Sequence, residues 1–216
     1  MSHPHDLILH HVDDHLLIAE KPSGLLAVPG RGANKQDCLA ARVQARYPDA
    51  CVVHRLDMAT SGLMLMARGA GAQRALSKAF AAREVDKRYV AVVAGDMASR
   101  DGVWHTIDLP IIVDWPNRPR SIVDHRIGKP SVTRWRVVAH DPASDSTRVE
   151  LEPVTGRSHQ LRVHLSALGH PILGDELYAP PDVLTCAPRL LLHAAALAFA
   201  HPASGQRLHF ASAPPF

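Results

Sequence analysis

A chain of 216 residues, 46% hydrophobic and 21% charged, carries enough apolar content for one ordinary domain or at most two small ones, and its composition is not that of a disordered protein. Its formal charge of +3 is mildly basic, which is compatible with a nucleic-acid partner without requiring one. No apolar stretch nears the roughly 20 residues of a membrane span, and Met1 to Asp6 shows no basic-then-apolar leader, so a cytoplasmic protein with no membrane partner is expected. Cys38, Cys51 and Cys186 are odd in number and far apart; they read as buried free thiols, not as a zinc or redox set.

From the N-terminus, Leu7-Ile8-Leu9 and Leu16-Leu17-Ile18-Ala19 predict two short strands joined through Asp13-Asp14. Lys21-Pro22-Ser23-Gly24 follows as a loop. Between Gln36 and Tyr47, Leu39, Val43 and Tyr47 recur every four residues. That spacing predicts an amphipathic helix starting near Asn34 or Asp37 and stopped by Pro48. The chain then reaches its most informative stretch, Val53 to Ala67. A polar loop bearing Arg55 and Asp57 runs into Leu63-Met64-Leu65-Met66-Ala67, a continuous apolar run that predicts a strand buried on both faces. Thr60-Ser61-Gly62 reads as a tight turn before it. A carboxylate held at the end of such an element serves as a nucleophile, as a general acid or base, or as a structural partner of Arg55. The spacing alone leaves the three open.

A second helix is predicted from Ala70 to Ala82, with Ala72, Ala75, Leu76, Ala79 and Phe80 as its apolar stripe. Lys87 to Val93 reads as a strand ended by Gly95, with Tyr89 at core or rim. Residues 94–131 are rich in turns and include Asp114-Trp115-Pro116-Asn117-Arg118-Pro119-Arg120. There Trp115 and Arg118 either offer a stacking surface to unpaired bases or form a rigid loop whose tryptophan seals the sheet. Val132–Ala139 and Thr147–Val154 predict a hairpin in which Arg134 and Arg136 alternate outward. Ser158 is placed to cap a helix with Leu161, Leu165 and Leu168 on its buried stripe and Gly169 at its end. On that helix His159 and His164 point about 140° apart, and no His-Glu-x-x-His pattern occurs, so no metal is expected.

His54-Arg55-Leu56-Asp57 with Thr60-Ser61-Gly62-Leu63, and Gly156-Arg157-Ser158-His159-Gln160-Leu161-Arg162-Val163-His164, together resemble two signatures of the RluA family of RNA pseudouridine synthases. Lys21-Pro22-Ser23-Gly24, Lys87-Arg88-Tyr89, Asp114 to Pro119 and Pro171-Ile172-Leu173-Gly174-Asp175 extend the resemblance in order, from Leu16 to Pro214. The short, single-domain type is the one it resembles. The resemblance implies an α+β fold with a mixed, mainly antiparallel central sheet, flanking helices and a central catalytic cleft. It implies one catalytic domain over residues 1–216, without a separate N-terminal RNA-binding domain, acting as a monomer.

The implied reaction converts uridine to pseudouridine in a large-subunit ribosomal RNA loop, a tRNA anticodon stem-loop, or both. It needs no cofactor, because the isomerisation is redox-neutral. By resemblance Asp57 is catalytic, Arg162 ion-pairs with it, and Tyr89 lies against the target base. Lys21, His54, Arg55, Thr60, Trp115 and Arg118 become substrate-binding residues. Two other classes are weighed against this. A non-catalytic RNA-binding or ribosome-assembly protein would not need Asp57. A glycoside hydrolase needs two opposed carboxylates, and Asp175 is an unconvincing second acid because Leu-Gly-Asp reads as a turn.

Overall fold

The computed structural model describes residues 7–98 and 102–216. In chain order its elements are β1 (Leu9–Val12), β2 (Leu16–Lys21), α1 (Leu39–Arg46), β3 (Ala50–Val52), β4 (Ser61–Arg68), α2 (Gly69–Ala82) and β5 (Asp86–Ala94). There follow β6 (His105–Asp108), β7 (Ile111–Val113), β8 (Ser121–Val123), β9 (Val132–Asp141), β10 (Ser146–Pro153), α3 (Gln160–Ala167), α4 (Pro181–Thr185), β11 (Leu192–Ala200) and β12 (Arg207–Ala211). The sheet is mainly antiparallel and is accompanied by few helices, which makes this the expected α+β class. Two compact units divide the chain: the residues up to Lys87 with Ala194–Pro215, and Arg88–His193 with Phe216.

The first unit is built on β4. Leu63 to Ala67 are all fully buried, the outcome that an unbroken apolar run predicts. Strand β2 pairs with it from Leu16↔Ala67 to Lys21↔Gly62, β3 pairs at its far end, and β12 pairs with β11. On one face Leu16, Ile18, Leu63 and Leu65 meet Ala72 and Leu76 of α2 together with Leu197 and Phe199. Gly62 sits at φ +112°, and a Cβ there would run into the backbone of Ala194, so only glycine lets the two strands approach.

Local chemistry moves several boundaries. The first strand lies later than Leu7-Ile8-Leu9, because Asp13 Oδ1 accepts the His15 and Leu16 N–H groups at 2.7 and 2.9 Å and sets the turn there. The turn before β4 falls at Asp57–Thr60 instead of Thr60–Gly62, closed by Thr60 N–H on the Asp57 carbonyl at 3.1 Å. Helix α1 is capped by neither Asn34 nor Asp37. Cys38 Sγ accepts the Ala41 N–H, while Asp37 takes two hydrogen bonds from Arg42. Of the thiols, Cys38 is buried, Cys51 half-buried and Cys186 exposed, and all three are free.

In the second unit β10 lies between β5 and β9, with Leu151 opposite both Tyr89 and Trp135, and β6 pairs with β9. Ala91, Val93, Val149 and Leu151 alternate onto the buried face. On the opposite face Arg88 and Arg134 pair with Glu152 at 2.7 and 2.8 Å, and Arg136 pairs with Glu150 at 2.6 Å. All three guanidiniums lie 4.9–5.0 Å from the Trp104 ring. Strands β7 and β8 form a separate two-stranded hairpin. The N-cap of α3 is His159, which is left-handed with φ 56° and makes no side-chain cap, so Ser158 is not the N-cap. Its far end agrees with the sequence: Gly169, φ +85°, donates to the Ser166 carbonyl.

Candidate active site

Asp57 is half-buried on the connection between β3 and β4, flanked by the buried Leu56 and the exposed Met58. Buried polar contacts hold that connection. Lys21, at the end of β2, is 0% exposed, and its ammonium donates to the carbonyls of Pro22, Leu25 and Met58 at 2.9, 2.7 and 2.9 Å. Three donors meet three carbonyls, so this charge clamps the Lys-Pro-Ser-Gly loop to the residue after Asp57. Ser23 Oγ adds a bond to the Ala59 carbonyl at 2.7 Å. Thr60, itself buried, closes the turn.

His54 anchors the other side. Its ring stacks on Phe80 at 4.6 Å, and Nε2 accepts the backbone N–H of Leu65 in β4 at 3.0 Å. Burial, with the Lys87 ammonium nearby, pushes its pKa down to about 3, so the imidazole is neutral and its remaining proton sits on Nδ1. Arg55 is exposed. Of the substrate-binding set read from the motif, the structure thus turns Arg55 outward, while Lys21, His54 and Thr60 make the bonds that shape the Asp57 loop.

In the second unit Arg162 is 4% exposed on α3 and makes a bidentate pair with Asp175, Nε to Oδ2 at 2.8 Å and Nη2 to Oδ1 at 2.6 Å. Asp175 is fully buried, and the N–H groups of Leu177 and Tyr178 also donate to Oδ1 at 2.9 and 3.2 Å. Gly174 before it has φ +72°, and a Cβ would collide with the Arg189 carbonyl. The Leu-Gly-Asp segment is therefore a turn, as the sequence suggests, but also the seat of an arginine's carboxylate, a role the sequence reading missed. The missing signal was burial: an acid closed off from water needs a cation.

Both imidazoles of this helix have protein partners. His164 is fully buried, with Nε2–H donating to the Leu109 carbonyl at 3.0 Å and Nδ1 taking the Thr133 hydroxyl at 2.9 Å, and burial lowers its pKa. His159 Nδ1 lies 2.7 Å from the Tyr178 hydroxyl. Gln160 Oε1 accepts from Thr155 Oγ1 and Arg157 N–H, fixing the start of the motif. Tyr89, half-buried, enters β5 opposite Leu151.

The β7–β8 hairpin carries the remaining pair. Trp115 is 67% exposed, with the Arg118 guanidinium 4.0 Å above its ring and Arg118 Nε bonded to the Trp115 carbonyl. The tryptophan seals no sheet. It presents one flat face with a cation attached, the kind of surface on which a base stacks.

The family model described as RNA pseudouridylate synthase matches residues 15–167. The chain is 50% identical to "Dual-specificity RNA pseudouridine synthase RluA" of Escherichia coli strain K12, over 94% of this chain and 91% of that relative. It is 48% identical to the protein of the same name in Yersinia pestis, over 94% and 97%. Among solved structures, "Human RNA Pseudouridylate Synthase Domain Containing 1" superimposes with a TM-score of 0.80 at 28% identity, covering 100% of this chain and 86% of that one. The chain belongs to the RNA pseudouridylate synthase family and is an enzyme that isomerises uridine to pseudouridine in RNA.

Proposed function

We propose that this enzyme modifies uridines in unpaired loops of both large-subunit ribosomal RNA and a tRNA anticodon stem-loop, with Asp57 as its catalytic carboxylate. The observation that carries the assignment of Asp57 is the loop beneath it, clamped by Lys21, Ser23, His54 and Thr60. A side chain must be held closely to act on a substrate that arrives flexible. Dual specificity is the reading favoured by the names of the relatives in Escherichia coli and Yersinia pestis.

The chemistry breaks the N1–C1′ bond of uridine and turns the uracil. It then joins C5 to C1′, while the C5 proton departs and N1 gains one, so atoms balance without a cofactor. The base must first leave its stack, which costs a few kcal/mol and less in a loop than in a duplex. Two routes use Asp57, attack on the nucleotide or removal of a ribose proton, and both need it ionised. Arg162 is assigned as the cation that supports the negative charge of Asp57 during the reaction. Tyr89 is assigned to the face of the displaced uracil. Arg55 takes the vacated space or a backbone phosphate, and Trp115 with Arg118 stacks on the unpaired loop. The chain is assigned one catalytic domain, acting as a cytoplasmic monomer.

The test is to incubate the purified protein with tRNA and large-subunit ribosomal RNA lacking pseudouridine and to map new sites. New pseudouridines in a loop of each RNA are expected. Modification of one class alone would remove the dual specificity, and modification of neither would overturn the reading.

A further inference from the structure

Tyr178 touches both the root of the Trp115 hairpin and Arg162, two parts of the second unit to which the proposed function gives roles, yet no sequence motif assigns it one. Its hydroxyl accepts the backbone N–H of Ser121, the first residue of β8, at 2.8 Å. The same oxygen lies 2.7 Å from His159 Nδ1, whose ring meets the tyrosine edge-on. The Arg162 guanidinium lies 5.1 Å from the ring centre and that of Arg120, at the end of the hairpin tip, 5.5 Å. The backbone N–H of Tyr178 donates to Asp175 Oδ1, the oxygen that also takes Arg162 Nη2. One residue is thus bonded to the root of the Trp115 hairpin at one end and to the seat of Arg162 at the other.

The root itself is unusual. Ser121 is 2% exposed, and its Oγ has no hydrogen-bond partner among the described residues. Its side chain supplies no anchor, so the bond from its N–H to Tyr178 falls to the tyrosine hydroxyl alone. A buried backbone donor without an acceptor costs about 1–3 kcal/mol, which gives the hairpin root a preferred position relative to Arg162.

We infer that Tyr178 is a positioning residue that couples the Trp115–Arg118 hairpin to Arg162, so that RNA held by the hairpin and the charge that supports catalysis keep one register. This rests on the proposed roles of the hairpin and of Arg162. The hydroxyl governs the hairpin and hence RNA affinity. The ring governs the guanidinium and hence turnover. Tyr178→Phe keeps the ring and removes the hydroxyl, whereas Tyr178→Leu removes both.

Pseudouridine formation is measured against RNA concentration for the wild type, both variants, Trp115→Ala, and Trp115→Ala combined with Tyr178→Phe. Tyr178→Phe should raise KM about two- to ten-fold, the worth of one hydrogen bond, with kcat within two-fold. Tyr178→Leu should lower kcat ten-fold or more as well. Because hydroxyl and hairpin act together, the KM effects of Tyr178→Phe and Trp115→Ala should not add in the double variant. Additive effects, unchanged constants for Tyr178→Phe, or a Trp115→Ala variant that binds RNA like the wild type would each overturn the coupling. A wild-type enzyme inactive on both RNAs would instead overturn the proposed substrates.

Discussion

The connection from His54 to Thr60 and the hairpin tip from Asp114 to Arg120 are both short polar links between strands, and they are built in opposite ways. The first is tied to its surroundings by a fully buried ammonium, a serine hydroxyl and a neutral imidazole, each reaching a backbone group of that loop or of β4. The second is exposed at every residue from Trp115 to Arg120, and its backbone bonds, such as Asn117 N–H to the Asp114 carbonyl, stay inside the tip. The contrast matches the two kinds of work that the proposed function gives them. Chemistry on a single bond requires a fixed group, and burial supplies the fixing. Gripping an RNA loop of variable shape requires exposed flat and charged surface, and local order suffices for that.

The contrast can be broken from its rigid side first. Asp175→Ala should produce the largest loss of stability, roughly 3–5 kcal/mol, because it strips the carboxylate from a guanidinium that is 4% exposed. Urea unfolding measures it, and an unchanged midpoint would mean that the pair holds nothing. Lys21→Met should cost about 3 kcal/mol, since three carbonyls lose a donor in a place without exposure to water. Its activity should fall further than the remaining folded fraction explains, because the Met58 carbonyl is released beside Asp57.

His54 gives a pH test. Its pKa is about 3 in the folded protein against 6.5 unperturbed, so the folded state binds fewer protons than the unfolded state between those values. Its contribution is intact above pH 6.5 and is lost as pH falls toward 3, at up to about 1.4 kcal/mol per pH unit. His54→Gln, which keeps an acceptor for the Leu65 N–H, should flatten that slope by about one proton; identical slopes would show that the ring is not held neutral. From the exposed side the effect is smallest. Trp115→Ala should weaken RNA binding by about 1 kcal/mol and leave the unfolding midpoint where it was, whereas a lower midpoint would make the tryptophan a structural residue.

Much of this was legible in the sequence, and the rest failed for reasons that can be named. The run Leu63–Ala67 announced a strand buried on both faces because five apolar side chains in succession leave neither face of a strand suited to water. Gly169 announced the end of α3 because few other residues take a left-handed turn without cost. Ser158 misled because a good capping residue stood one place before a histidine that adopts φ 56° and makes no cap. Asp37 does stand beside the start of α1, but it is engaged by Arg42, and the cap falls to Cys38. Lys21 and Asp175 were the harder cases. A lone lysine after an apolar run and a lone aspartate after glycine look like solvated ends. Their partners, the Met58 carbonyl and the Arg162 guanidinium, lie 37 and 13 residues away, beyond any local pattern.

The central claim is that the rigid loop exists to hold one carboxylate. Comparing Asp57→Asn with the wild type on the same RNA, under single-turnover conditions and with RNA affinity measured alongside, tests it most directly. Unchanged affinity and an unchanged unfolding midpoint, with no pseudouridine formed, are the predicted result; pseudouridine formed at the wild-type rate would contradict it.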